Sequence, residues 1–224
     1  MPMAQDRRDY PATIRKRLTE RWAQRRLGKI DHERRVCDIA CTLFDLTHPF
    51  HRLDAHEKRL LELASIVHDV GRKVDEKDHP LIGSKMIAAD NWLPLNEGER
   101  RIVTYLTRYH RGAVPEVGFD EILTSSENRR RMRLVLALLR AADALDGRQL
   151  HAPRLVFALL GKRLSITVYL EEESSKARRF FKRRKKFRLI EELLGLKVDV
   201  EVKLAHAVHT VSAFGLHGAP TNCV

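Results

Sequence analysis

His68 and Asp69 interrupt an apolar run, Leu60 to Gly71 (LLELASIVHDVG). Two adjacent titratable side chains in such a setting are costly. Without partners they must be neutralised, and the usual remedies are an ion pair, a hydrogen-bond network or a metal ion. Three more polar residues break apolar stretches in the same way: His32 in IDHERRVCDIA, His110 in IVTYLTRYHRG and Asp143 in LVLALLRAADALDG. Each is a good metal ligand. Imidazoles and carboxylates together suit Mn²⁺, Fe, Co²⁺ or Zn²⁺, whereas Mg²⁺ prefers mostly oxygen donors. Asp146 lies three residues after Asp143 on nearly the same helix face and is the alternative to it.

The elements that must position these residues are helical up to about Leu150. Arg7 to Leu27 reads as a basic, weakly amphipathic peripheral helix. Another helix starts near Asp31, a suitable N-cap, and carries Val36, Ile39, Ala40, Leu43 and Phe44. Leu60 to Val70 is expected to be the helix holding the His-Asp pair, with Gly71 at its C′ position. Further helices are expected over Pro80 to Ala89, Glu97 to Tyr109 and Arg129 to Leu145, the last central because it is almost wholly apolar. After Pro153 the period changes to two. Leu155 to Leu160 and RLSITVYLE, joined by Gly161-Lys162, read as a hairpin. A helix from about Lys176 to Leu194 and the alternating strand KVDVEVK follow. The fold class is therefore mostly α, a helical bundle over 1–150 with a small β-β-α-β appendage over 151–205 and a loose tail over 206–224.

The ordered set His32, His68-Asp69, His79, His110 and Asp143 resembles the H…HD…D signature of the HD-domain metal-dependent phosphohydrolase superfamily. The flanking words VHDVGRK, DHPLIGSKMI, RYHRG and LLRAADALD resemble the C-terminal helical domain of the exopolyphosphatase / guanosine pentaphosphate phosphatase family. The strands after Pro153 also match that group. The resemblance implies that His32, His68, Asp69 and Asp143 bind a first ion and that Asp69 bridges to a second held by His79 and His110. Two ions roughly 3.5–4 Å apart would activate a bridging water for attack on phosphorus, with Asp69 the central catalytic carboxylate. Arg72, Lys73 and Arg111, each beside an expected ligand, and Arg140, one turn before Asp143, are the candidate phosphate-binding cations. This chain has Asp78-His79 where exopolyphosphatase-type domains tend to have paired histidines, and HPLIGSKMI resembles the H-x-x-x-G pattern of broader bacterial HD hydrolases. The other histidines, His48, His51, His56, His151, His206, His209 and His217, read as core or surface residues.

A length of 224 residues with 43% hydrophobic content suits one core-bearing domain and a small appendage. In full-length exopolyphosphatases the helical domain follows an actin-like ATPase-fold module that performs the known hydrolysis. No such module fits here, so any activity is expected from the HD site itself. A net charge of +12, from 42 basic and 30 acidic residues, attracts phosphate-rich small molecules and polyphosphate. Nucleic acid would be bound only through its backbone, in a salt-sensitive way. No apolar run approaches a membrane span, and Cys37, Cys41 and Cys223 suit a reducing compartment, so a cytoplasmic protein without membrane contact is expected. The sequence admits a homodimer without arguing for one.

The segment Lys176 to Arg188 (KARRFFKRRKKFR) holds nine cations, three phenylalanines and no acid. Its Phe180, Phe187, Ile190 and Leu194 form one stripe on a continuous helix, which leaves the cations either solvated or, with Arg129, Arg130, Arg131 and Arg133, poised for a long polyanion. Two functions of different class follow: a metal-dependent phosphohydrolase cleaving a phosphate ester or anhydride in a nucleotide or polyphosphate-like polyanion, or a non-catalytic polyphosphate- or alarmone-binding regulatory module with a structural or vestigial HD site.

Overall fold

Pro11 fixes the entry to the first helix, α1 (Ala12–Leu27), whose buried residues Arg15, Thr19, Trp22 and Ala23 form a single narrow face, as suits a peripheral helix. The computed structural model describes residues 10–116, 120–123, 129–147 and 153–205, apart from the side chain of Arg184. His151, His206, His209, His217, Cys223 and the tail expected over 206–224 lie outside the described residues.

Helix α2 (Asp31–His51) begins with Asp31 inside its first turn and Ile30 at the N-cap, so Asp31 acts on the helix dipole and not as a cap. Capping boxes start α3 (Ala55–Val67), through Asp54 and Glu57, and α5 (Glu97–Tyr109), through Asn96 and Glu99. Between them α4 (His79–Ala89) starts on His79-Pro80. The centre of the bundle is α6 (Arg129–Leu145), which buries every residue from Leu134 to Leu145 except Arg140. It packs on α2, α3 and α5. No helix among the described residues is long and apolar enough to cross a membrane.

Two points differ from the sequence reading. Helix α3 ends at Val67, so His68 and Asp69 lie in the turns that follow it and not within the helix. Bonds from Val70 N to Val67 O (3.2 Å) and Arg72 N to Asp69 O (2.9 Å) replace the α pattern there. Gly71 is required by close approach and not by a left-handed backbone. A Cβ at position 71 would lie 2.7 Å from Gly83 N and closer still to His79 O, which is what lets α4 sit directly on the His-Asp turn.

The appendage carries β1 (Arg154–Leu160), β2 (Arg163–Leu170) and β3 (Lys197–Leu204) in the order β1-β2-β3. β1 and β2 are antiparallel across Gly161-Lys162, with Gly161 at φ +56°, whereas β3 joins β2 in parallel with Arg163 opposite Lys197. Leu164, Ile166, Val168 and Leu170 face inward with Val198 and Val202. The parallel pairing needs a crossover, supplied by α7 (Ser175–Phe181), a 3₁₀ turn (Arg184–Lys186) and α8 (Arg188–Leu194), which also packs on α6. The single helix expected over 176–194 is thus broken. Phe181 and Phe187 are both buried, yet on an unbroken helix they would point about 120° apart, at about 100° per residue. The turn re-phases the chain so that both reach the core.

Candidate metal centre

Five helices deliver the candidate ligands to one place. His32 stands in the first turn of α2, His79 begins α4, Asp143 sits in the last turn of α6, and His68 and His110 are the C-cap residues of α3 and α5. All five, with Asp69, are buried.

The four imidazoles are oriented alike. Nδ1 of His68 donates to Ser65 O (2.8 Å), Nδ1 of His79 to Glu76 O (2.7 Å) and Nδ1 of His110 to Thr107 O (2.7 Å). A carbonyl oxygen only accepts, so Nδ1 carries a proton and Nε2 is the nitrogen turned inward, where a metal ion would take the place of any proton on it. The helix ends make this cheap for His68 and His110, because the carbonyls of a last turn lack intrahelical partners. For His32 a carboxylate serves instead: Asp146 Oδ2 lies 2.5 Å from Nδ1, and Arg35 holds Asp146 by a hydrogen bond of 2.8 Å to Oδ1. Such partners set tautomer and direction in metal sites.

Asp69 is the meeting point. Its Oδ1 lies 2.9 Å from His79 Nε2, 3.3 Å from His110 Nε2 and 3.7 Å from His68 Nε2, and its Oδ2 lies 3.7 Å from His32 Nε2. Asp143 Oδ1 is 3.5 Å from His32 Nε2 and 3.7 Å from His68 Nε2. Two groups able to hold a metal ion result, His32-His68-Asp69 and Asp69-His79-His110. Ligand atoms about 2.0–2.2 Å from one ion stand about 2.8–3.6 Å from their neighbours in tetrahedral or octahedral arrangement. The second group meets this range, and the first, with His32 and His68 each 3.7 Å from Asp69, lies just above it. Nε2 of His79 and His110 face each other at 3.2 Å, and with both lone pairs inward that contact is repulsive until a cation or a proton lies between them. Nε2 of His32 and His68 are buried without a hydrogen-bond partner. The nitrogen-rich donor set therefore fits a divalent transition metal.

The electrostatics match. Burial opposes ionisation of Asp69, but His68, His110 and His79 outweigh it and hold the carboxyl well below its usual range. Asp143 is likewise held low against burial by His32, His68 and Arg111. Burial would depress His68, yet Asp69 and Asp143 raise it to about 9. His110 is lowered, burial being the largest cause.

A cleft of about 450 Å³ opens beside this cluster, with His110 and Asp143 in its wall. Three of the expected phosphate-binding cations line it. Arg111 reaches Asp143 from Nε (3.3 Å) and from Nη2, and Arg72 reaches Asp69 at 3.4 Å and also bonds Glu76. Arg140 donates to Tyr109 O (2.7 Å) and Gly112 O (3.0 Å), which pins the loop carrying His110 and Arg111 to α6. Lys73 is not among the lining residues; its ammonium lies against Gly28, past the C-terminus of α1.

The sequence reading missed two features. Asp146 is the partner of His32 Nδ1 as well as the neighbour of Asp143. The facing wall of the cleft comes from the appendage, through Lys176, Phe180, Arg183 and Lys186. Composition marked that segment, but only its path over the bundle reveals where it points. Arg129, Arg131 and Arg133 do not join it. They bond Asp120, Glu57 and Pro115 O, and Arg131 stands about 18 Å along α6 from Asp143 at about 1.5 Å per residue.

No curated protein matches the chain. The sequence profile of the family described as "Ppx/GppA phosphatase, domain III" matches residues 14–180, a span that runs from α1 into α7 and contains every candidate ligand. With about three quarters of its length matched, the chain belongs to the Ppx/GppA phosphatase domain III family.

Proposed function

We propose that this chain is a metal-dependent phosphohydrolase of the HD type that cleaves a phosphate ester or anhydride bond in a nucleotide or polyphosphate-like polyanion. One observation carries the reading: a single buried carboxylate, Asp69, stands among four Nε2 atoms whose imidazoles are all held by their Nδ1 bonds, beside a cleft rimmed by arginines. His32, His68, Asp69 and Asp143 would hold one ion, with His79, His110 and a shared Asp69 holding a second. When bound, the metal supplies Lewis acidity toward water and phosphate oxygens and neutralises developing charge.

The protein's own groups supply the rest. Asp146 and the three backbone carbonyls keep the imidazoles in the ligating tautomer. Arg111, with a side chain 42% exposed and bonds of 3.2–3.3 Å to Asp143, stands between that carboxylate and the cleft, where its guanidinium can also meet a phosphate oxygen. Arg72 is placed similarly beside Asp69. Arg140 contributes by fixing the loop on which Arg111 sits. A phosphate-rich substrate also accords with the net charge of +12.

The test is elemental analysis of the purified protein before and after Mn²⁺ reconstitution and desalting, with His68→Ala/Asp69→Ala as control, followed by phosphate-release assays. Metal retained by the wild type, lost in the double variant and accompanied by turnover that Asp69→Asn abolishes is the expected result. A wild type that retains no metal and releases no phosphate overturns the proposal in favour of a non-catalytic binding module.

A further inference from the structure

The three-stranded sheet has two edges, and they are built differently. β3 guards its edge. Lys197, Asp199, Glu201 and Lys203 alternate along it, and its backbone groups at Val198 N and Val202 O are bonded by Glu191 (2.9 Å) and Arg178 (2.8 Å). Such charges and side-chain bonds keep another strand from adding on. Among the described residues nothing comparable protects β1 (RLVFALL). It pairs only with β2, and its one charged residue, Arg154, is laid over the ring of Tyr169 on β2 at 4.2 Å, away from the free side.

The apolar side chains of β1 are also left partly in water. Leu164, Ile166 and Val168 of β2 are fully buried, yet the residues opposite them, Leu159, Phe157 and Leu155, are only half-buried. The core beneath the sheet therefore stops short at this edge. On the outer face Val156 is 44% and Leu160 83% exposed, and Ala158 is exposed between them. A groove of about 200 Å³ opens under the same edge, where Leu155 and Pro153 meet Ile39 of α2, with Arg35 and Asp146 in its wall.

We propose that β1 is a self-association surface: two copies of this chain pair β1 to β1, antiparallel and centred on Phe157, which joins the two three-stranded sheets into one across a homodimer. The sequence of the strand favours a second copy over any other occupant. In this pairing Leu155 lies opposite the partner's Leu159, Val156 opposite the partner's Ala158, and Phe157 opposite the partner's Phe157. Every one of these pairs is apolar, and symmetry repeats each unlike pair. The half-buried residues of both copies then meet on the inner face, whereas a slip of one residue would turn one set toward water. The partner's Leu159, beside Leu155, stands at the mouth of the groove and closes it over the Arg35–Asp146 pair that fixes His32.

The test is sedimentation equilibrium of the full chain over about 1–200 µM, with circular dichroism of each variant. The wild type should pass from monomer to dimer within this range, as suits an interface at the small end of specific contacts. Val156→Lys/Ala158→Lys changes two side chains that are exposed in the single copy, so the spectrum should be unaltered. Across the proposed pairing it sets like charges opposite each other twice, and should weaken the dimer at least about tenfold. Val156→Glu/Ala158→Glu should do the same. An equimolar mixture of the two variants should recover the dimer, because each cross-strand pair then joins opposite charges. That recovery separates a lost interface from a lost fold. A wild type that stays monomeric throughout overturns the proposal and leaves the edge to the chain's own residues 206–224 or to a strand of another protein. A dimer that both variants keep, or monomeric variants whose mixture does not associate, overturns it as well, because the contact then lies elsewhere or lacks this register.

Discussion

Asp146 Oδ2 lies 2.5 Å from His32 Nδ1, and this contact fixes the direction in which His32 presents Nε2 to Asp69 and Asp143. Arg35 binds the same carboxylate from the outside, so three side chains from α2 and the end of α6 form one relay. Burial works against the charge on Asp146, but His32 and Arg35 hold its carboxyl below the ordinary value.

Loss of that partner should weaken metal binding without unfolding the bundle. Asp146→Ala is expected to lower affinity at the His32 side about ten- to a hundredfold. Competition with a chelating dye measures this, and a thermal melt of the metal-free variant checks the fold. Asp146→Asn, whose amide oxygen still accepts from Nδ1, should recover part of the loss. A variant with unchanged metal affinity would remove Asp146 from the site.

Gly71→Ala tests how α4 is seated. The added methyl would meet His79 O and Gly83 N, both backbone atoms that cannot rotate away. The expected result is a loss of about 1–3 kcal/mol of stability and, because His79 is displaced, metal retention falling toward one ion per chain. Urea denaturation and elemental analysis read the two effects. Unchanged stability would mean that the turn and α4 separate easily.

Much of this was legible in the sequence because the chemistry sits at breaks in apolar patterns. His32, His110 and Asp143 stand out for the same reason as His68-Asp69: each places a polar group where the helical period demands an apolar one. The boundaries of α5 and α6 follow from helical periodicity, and the hairpin at Gly161-Lys162 from alternation on either side of a two-residue turn. What stayed hidden depends on tertiary contact. Gly71 looks like a helix C-cap until α4 is known to press against it. The break between Phe181 and Phe187 carries no proline or glycine signal, since it arises from two aromatic rings seeking one core. The position of Lys186 over the cleft depends on that break.

Metal should stabilise the protein as well as equip it. The inward-facing Nε2 atoms of His79 and His110 and the buried, unbonded Nε2 atom of His32 are an electrostatic cost in the metal-free fold. A metal held only by the native state adds about 2.7 kcal/mol at a hundredfold excess over its dissociation constant. For a chain of this size that corresponds to a rise of about 5–10 °C in Tm. Scanning calorimetry with and without chelator checks it. The rise should vanish in Asp69→Asn, and its persistence there would move the metal to another site.

The last expectation concerns the joint between α1 and α5. Arg15 Nη2 lies 2.5 Å from Glu99 Oε2, and Asn96 N donates to the same oxygen at 3.0 Å. Burial raises the Glu99 carboxyl, but Arg15 and Asn96 more than offset this and leave it below its ordinary value of 4.5. A carboxyl lowered on folding adds stability that is complete above the ordinary value and disappears as pH falls through the lowered one. The advantage of the wild type over Glu99→Gln should therefore be constant from neutral pH down to about 5 and shrink below it, as urea denaturation across that range would record. Arg15→Ala should cost about 1–3 kcal/mol at neutral pH, because it leaves a nearly buried carboxylate without its main partner. The double variant Arg15→Met/Glu99→Gln should recover most of that loss. If the difference between wild type and Glu99→Gln instead grows toward acid, the carboxyl is protonated in the fold and the Arg15 contact is not an ion pair.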